Sequence, residues 1–237
     1  MLQIGILDCR FLRSPEIFEE KIKQVSPERQ ALVERHKTER GRRQSLGGGL
    51  LVQAMLAQAA REKQAAPYTS FSWEKGEQGK PILQGVTDMQ GYPLYVNLSH
   101  SGEMAAAVLA DFEVGIDIQE QQNPPEGVAK RFFSKEEQAW LEKTAEEKGE
   151  RFFRIWTLKE SYIKTTGLGM RTPLTEFDVT RAARQPGVVT AIGEKMFLCA
   201  LPPVLQPTER ERCYALAVGG VQSYEIPKPE FFNGTLT

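Results

Sequence analysis

Several kinds of protein are excluded by what this sequence lacks. Only three of its 237 residues are Cys and two are His. Cys9, Cys199 and Cys213 are far apart and form no Cys-x-x-Cys pair, so neither a disulfide framework nor a zinc site is indicated. Buried, reduced thiols are expected at all three positions. No apolar run approaches the ~20 residues that cross a bilayer, so no membrane segment is expected. The opening residues Met1–Asp8 lack a basic n-region and a long apolar stretch, so a secretory signal is not expected and a cytoplasmic protein is. Neither sign of charge dominates: 30 Lys and Arg face 31 Asp and Glu, for a net of −1. A surface given over wholly to nucleic acid or anionic lipid is thereby excluded, while a local patch is not.

What is present suits a globular α/β (α+β) chain. At 41% hydrophobic and 26% charged residues, the sequence can bury a sizeable core. Strands are predicted at Leu2–Leu7, Leu94–Leu98, Met104–Ala110 and Val114–Ile118. Helices are predicted from Ser26-Pro27 toward Lys37 and from about Arg42 to Lys63. A capping box, Ser134-Lys135-Glu136-Glu137, starts a helix toward Lys148, and a longer helix runs from about Glu150 to Thr166, stopped by Gly167 and Gly169. Weaker β signals lie at Phe177–Thr180, Val188–Ile192, Met196–Leu201 and Tyr214–Val218. The pattern divides into similar halves, residues 1–112 and 113–225, with 226–237 a loosely held tail. The triplet Gly47-Gly48-Gly49 inside a helix implies a close approach, either by a packed neighbour or by a ligand.

Chemistry concentrates in three places. In Val114-Gly115-Ile116-Asp117-Ile118-Gln119, strand alternation puts Gly115, Asp117 and Gln119 on one face, with space beside the carboxylate. On the Glu150–Thr166 helix, Phe152, Ile155, Trp156, Tyr162 and Ile163 form an apolar stripe with Lys159 in its middle and Glu160 and Lys164 along its edge. A lysine so placed must snorkel to the rim or meet an anion. Asp117 and Glu160 together would offer the oxygen ligands that suit Mg²⁺ bound with phosphates, while an ordinary Glu160–Lys164 surface pair is the plain alternative. Asn97-Leu98-Ser99-His100-Ser101 ends a strand with many hydrogen-bonding groups, and His100 is either a phosphate donor or a structural histidine. Charge is uneven: residues 29–43 carry a net of +4 and residues 134–150 a net of −3. The basic stretch suits a small polyanion.

Five runs in order, Gly79-Lys80-Pro81, Asn97–Ser101, Gly115-Ile116-Asp117-Ile118, Arg131–Glu137 and Trp156–Lys164, resemble 4′-phosphopantetheinyl transferases of the surfactin-synthetase-activating type. The resemblance covers about residues 35–218, and the last run is similar to that family's Trp-x-x-Lys-Glu-x-x-x-Lys signature. It implies two halves related by a pseudo-twofold, each a small sheet with packed helices, and coenzyme A in the cleft between them. Asp117 and Glu160 match the family's Mg²⁺ ligands. Gln119 stands where a third acidic residue is common, and offers a carbonyl oxygen directly or through water. Lys159 and Lys164 match residues facing phosphate and the departing group, with Glu160, Lys164 and Lys159 as the catalytic set. Lys80 and Pro81 would lie along the adenine, Ser99 and His100 against the nucleotide and diphosphate. Arg43, with Arg35, His36 or Lys37, would meet the 3′-phosphate.

The implied reaction moves phosphopantetheine from coenzyme A to a serine of an apo acyl or peptidyl carrier protein, releasing 3′,5′-ADP. The carrier would dock at Lys130, Arg131, Phe132 and Phe133, and the two-half plan implies a self-sufficient monomer. A metal-dependent hydrolase of coenzyme A and a non-catalytic coenzyme A-binding module are the alternatives.

Overall fold

The structure is a computed structural model that describes residues 1–62, 72–75, 81–87, 91–143, 145, 147–194, 196–206 and 212–232. The chain separates into two compact units. One is built from Met1–Gly76, Pro81–Asp111 and Pro227–Thr237, the other from Phe112–Ile226.

The first unit opens on β1 (Leu2–Asp8) and a 3₁₀ turn, Cys9–Arg13. Two short helices follow, α1 (Pro15–Ile22) and α2 (Pro27–Glu34). They start alike: a serine hydroxyl (Ser14 or Ser26) accepts the N–H three residues on, and proline fills the first helical position. The second of these signals is read as a helix from sequence, and the first is not, because only Phe18 of α1 reaches the core. The long α3 (Glu39–Glu62) then buries Leu46, Leu50, Leu51, Val52, Met55 and Leu56. A hairpin of β2 (Ser72–Lys75) and β3 (Pro81–Gln84) precedes β4 (Tyr95–Ser101) and β5 (Met104–Ala110). Every residue of β5 is buried, as befits a central strand, and it pairs antiparallel with β1 and β4.

The tail corrects the sequence reading. The last strand, β10 (Glu230–Phe232), lies parallel to β1 and completes a four-stranded sheet of order β10-β1-β5-β4. Phe232 packs on the core, and Gln58 Nε2 donates to Glu230 at 2.7 Å. Main-chain pairing to a strand more than 220 residues earlier is not a local signal.

The second unit holds β6 (Val114–Glu120), α4 (Val128–Phe132), α5 (Lys135–Leu141) and α6 (Lys148–Thr166), then α7 (Thr180–Arg184), β7 (Thr190–Ile192), β8 (Met196–Gln206) and β9 (Arg212–Gly220). Its sheet is antiparallel in the order β6-β9-β8-β7. The register of β8 slips between Leu201 and Val204, where Pro202 and Pro203 have no N–H to donate. The capping box forms as expected: Ser134 Oγ accepts the Glu137 N–H at 3.2 Å, and Glu137 accepts the Ser134 N–H at 2.8 Å. The helix it starts ends at Leu141, short of Lys148, once its buried residues Glu137, Trp140 and Leu141 are spent. Residues 177–180, read as a strand, instead turn into α7. Asp178 accepts both the N–H and the hydroxyl of Thr180, an Asx turn that competes with extended pairing. Cys9 and Cys199 are buried thiols as expected, whereas Cys213 is only half-buried.

Candidate active site

In the second unit, α6 lies unusually close to its sheet. Gly115 of β6 and Gly219 of β9 are register partners and form one notch. A Cβ on Gly115 would sit 2.5 Å from the Ser161 carbonyl oxygen and the Thr165 nitrogen. One on Gly219 would sit 2.7 Å from Thr165 Oγ1. Thr165 in turn donates its hydroxyl to the Ser161 carbonyl at 2.7 Å, keeping that side chain folded against the helix. No residue with a side chain fits at Gly115 without moving the helix, and one at Gly219 would have to displace the side chains of Thr165 and Leu198.

Seated at that depth, the helix brings Lys164 to Asp117, which shares the Gly115 face two residues further along β6. Lys164 Nζ donates to Asp117 Oδ1 at 2.7 Å, and Gln119 Nε2 donates to Oδ2 at 3.1 Å. Asp117 is 1% exposed, and Glu160 is half-buried one turn before Lys164. Burial raises the Glu160 carboxyl above its ordinary value, the like charge of Asp117 raises it further, and Lys164 opposes both. Two carboxylates close enough to repel each other suit an oxygen-seeking divalent cation that keeps water and phosphate ligands. Among the described residues no group of three or more His, Cys, Asp or Glu is arranged for a metal. Gln119 directs its amide N–H at Asp117, so in this arrangement it orients the carboxylate instead of presenting its carbonyl oxygen beside it.

Lys159 meets its anion inside the protein. The anion demanded by its place on the apolar stripe is Glu137, 2.9 Å away, and both side chains are fully buried. Lys159 Nζ also donates to the carbonyls of Leu174 and Phe177 at 2.6 and 3.0 Å, and stands 4.3 Å from the centre of the Phe177 ring. Burial pushes its ammonium down from the ordinary lysine value, and Glu137 pulls it back up. Glu137 itself accepts the Ser134 and Val179 N–H groups, so the network is saturated. With three acceptors for three donors, Lys159 ties α6 to α5 and to the 174–178 turn.

In the first unit, a cavity of about 270 Å³ gathers Ser99 and His100 at the end of β4 with Arg29, His36, Gln44 and Gly48. Gln44 is not singled out by the sequence reading, and Arg29 enters it only as one of the basic residues of the 29–43 stretch. The signal for Arg29 was the glycine triplet: its stem lies 3.0 Å from where a Gly49 Cβ would be. Its guanidinium stacks 4.8 Å over Trp73, and its Nε, buried, has no hydrogen-bond partner among the described residues. Gly47 serves packing instead, its missing Cβ leaving room for Cys9. Of the three glycines, Gly48 lines the cavity.

Arg43 is placed elsewhere. It lies 3.7 Å from the buried Glu103 and 3.8 Å from Glu39, and lines a separate pocket of about 180 Å³ with Phe18 and Arg42. Lys37 is exposed in the turn before α3 and does not line the Ser99–His100 cavity. Pro81 begins β3, and Lys80 lies outside the described residues. On α4, Lys130 and Arg131 are exposed, with Arg131 5.0 Å over the ring of half-buried Phe132. Phe133 departs from the docking expectation: it is a core residue, 5.2 Å from Phe152 between ring centres.

Two family models match the chain. The 4′-phosphopantetheinyl transferase superfamily matches residues 113–217, and the 4′-phosphopantetheinyl transferase N-terminal region matches residues 13–111. Similar curated proteins include the 4′-phosphopantetheinyl transferase gsp of Aneurinibacillus migulanus, 32% identical over 162 residues, which are 68% of this chain and 64% of the relative. The 4′-phosphopantetheinyl transferase psf-1 of Bacillus pumilus is 34% identical over 65% of this chain and 62% of its own length. The 4′-phosphopantetheinyl transferase Sfp of Bacillus subtilis is 30% identical over 65% of this chain and 66% of its own length. The chain thus spans a little under two thirds of the length of these curated relatives. Gly115, the Asp117–Lys164 pair and Glu160 fall inside the first matched span, Gly219 lies two residues beyond it, and the Ser99–His100 cavity falls inside the second. By both matched spans, the chain belongs to the 4′-phosphopantetheinyl transferase superfamily.

Proposed function

We propose that this protein transfers the 4′-phosphopantetheine group of coenzyme A to a serine of an apo acyl or peptidyl carrier protein. The observation that carries the reading is the juxtaposition of buried Asp117 with Glu160 and Lys164, within a chain of this superfamily. The serine Oγ attacks the β-phosphorus of coenzyme A, a new P–O bond forms, and the bond to the 3′,5′-ADP side breaks. Such displacements depend mainly on positioning and charge neutralisation. Glu160, or a water held by the metal, would take the serine proton. Lys164 is the cation suited to the departing phosphate. Asp117 and Glu160 would hold Mg²⁺, which when bound supplies neutralisation of the diphosphate charge.

For the first unit, the reading assigns Arg29, His36, Ser99 and His100 of the cavity to nucleotide phosphate and ribose contacts. Exposed Lys130 and Arg131, beside Phe132, offer a basic surface suited to an acidic carrier. Among the described residues no helix is long and apolar enough to cross a membrane.

The test is a comparison of coenzyme A turnover with and without apo carrier. Transfer predicts 3′,5′-ADP release only when the carrier is present, in equal amount to holo-carrier. Release without carrier would make the protein a hydrolase instead, and binding without release would make it a coenzyme A-binding module.

A further inference from the structure

The pairing of Asp117 has a consequence for how ligands enter, and it rests on the reading of a diphosphate substrate given above. Each oxygen of this nearly inaccessible carboxylate takes a donor: Lys164 Nζ at 2.7 Å and Gln119 Nε2 at 3.1 Å. Lys164 is the more accessible member of its pair, with 25% of its side chain exposed against 2% for Asp117. The ammonium therefore has a way out, while the carboxylate does not. Asp117, Glu160, Lys164 and Gln119 together carry a net charge of only −1, a weak attraction for a free divalent ion. Lys164 takes one acceptor position of Oδ1 and sets a positive charge beside it, so its ammonium opposes a cation at that oxygen. A lysine leaving a buried carboxylate needs another anion, and a phosphate oxygen is such an anion.

We infer that Lys164 is an internal competitor for the divalent cation, occupying Asp117 until a diphosphate takes its ammonium, so that cation and diphosphate bind cooperatively. Gln119 supports this as a positioning residue: its neutral N–H steadies Asp117 without adding the negative charge that would draw a free cation in. By linkage, whatever factor the diphosphate adds to cation affinity, the cation adds to diphosphate affinity.

The experiment titrates Mn²⁺ alone into the purified full chain and follows free Mn²⁺ by its paramagnetic resonance signal. Lys164→Met and Lys164→Gln are each expected to bind Mn²⁺ at least about tenfold more tightly than the wild type. Lys164→Gln keeps a hydrogen-bond donor for Asp117, so it tests the idea even if Lys164→Met fails to fold by circular dichroism. Unchanged or weaker Mn²⁺ binding by folded Lys164→Gln overturns the inference. A second titration, with saturating coenzyme A, should tighten Mn²⁺ at least about tenfold in the wild type and by a clearly smaller factor in Lys164→Gln. Equal factors in the two proteins overturn the cooperative role. Tighter Mn²⁺ in Lys164→Gln with no effect of coenzyme A on the wild type would uphold the competition while removing coenzyme A as its ligand.

Discussion

Lys159 and Lys164 leave the same helix five residues apart, and each meets a carboxylate, Glu137 at 2.9 Å and Asp117 at 2.7 Å. The first pair is sealed. Glu137 also caps α5 and holds the Val179 N–H, and Lys159 divides its remaining donors between two carbonyls. Nothing in it is left to react. The second pair is closed on the carboxylate side and open on the lysine side, with a second carboxylate, Glu160, repelled by the first. Two lysines five positions apart on one helix thus stand in unlike surroundings, one sealed within the protein and the other partly exposed.

Breaking the sealed pair should produce the largest effect. Lys159→Met leaves Glu137 a buried charge without its partner and should cost about 3–5 kcal/mol of stability, measured by urea unfolding. A loss below about 1 kcal/mol would show that the two pairs do not differ as described. Breaking the open pair should affect turnover instead. Asp117→Asn should lower carrier loading at least about a hundredfold, in line with the removal of one preorganised electrostatic group, with a melting temperature near that of the wild type.

The notch that seats α6 against its sheet can be probed next. Gly219→Ala forces a methyl against Thr165 and Leu198 and should cost about 1–3 kcal/mol by denaturant unfolding. Adding Thr165→Ala in the same chain should recover part of that loss, and no recovery would mean that Thr165 does not set the depth of α6.

The smallest effect concerns pH. A carboxyl raised in the folded state binds its proton more tightly there than in the unfolded chain, so it lowers stability as pH rises through the raised value. Glu160→Gln should therefore raise the melting temperature slightly at neutral pH and lose that gain at low pH, where the wild-type carboxyl is protonated in both states. A gain that persisted unchanged in acid would contradict the assigned cause.

Local signals carried much of the fold. The apolar run Met104–Ala110 is a buried strand with the predicted ends, and the Ser134 capping box forms as spelled. Strand alternation alone put Asp117 beside Gly115, facing something bulky, and the bulky thing is α6. The reading failed where a residue's role depends on a distant partner. Lys159 plainly required an anion, but nothing near it in sequence says that the anion is Glu137. Arg29 belongs to a helix whose other residues look solvated, and becomes a cavity wall only because α2, α3, β2 and β4 converge on it. The tail strand pairs through main-chain groups, which leave no pattern in side chains.

The most direct test of the functional claim is a mass measurement on an apo carrier protein incubated with this protein, coenzyme A and Mg²⁺, beside the Asp117→Asn variant. The account predicts that the carrier gains one phosphopantetheinyl group on its serine with the wild type and remains apo with the variant. A panel of carriers left apo by the folded wild type, or loaded equally by the variant, would contradict it.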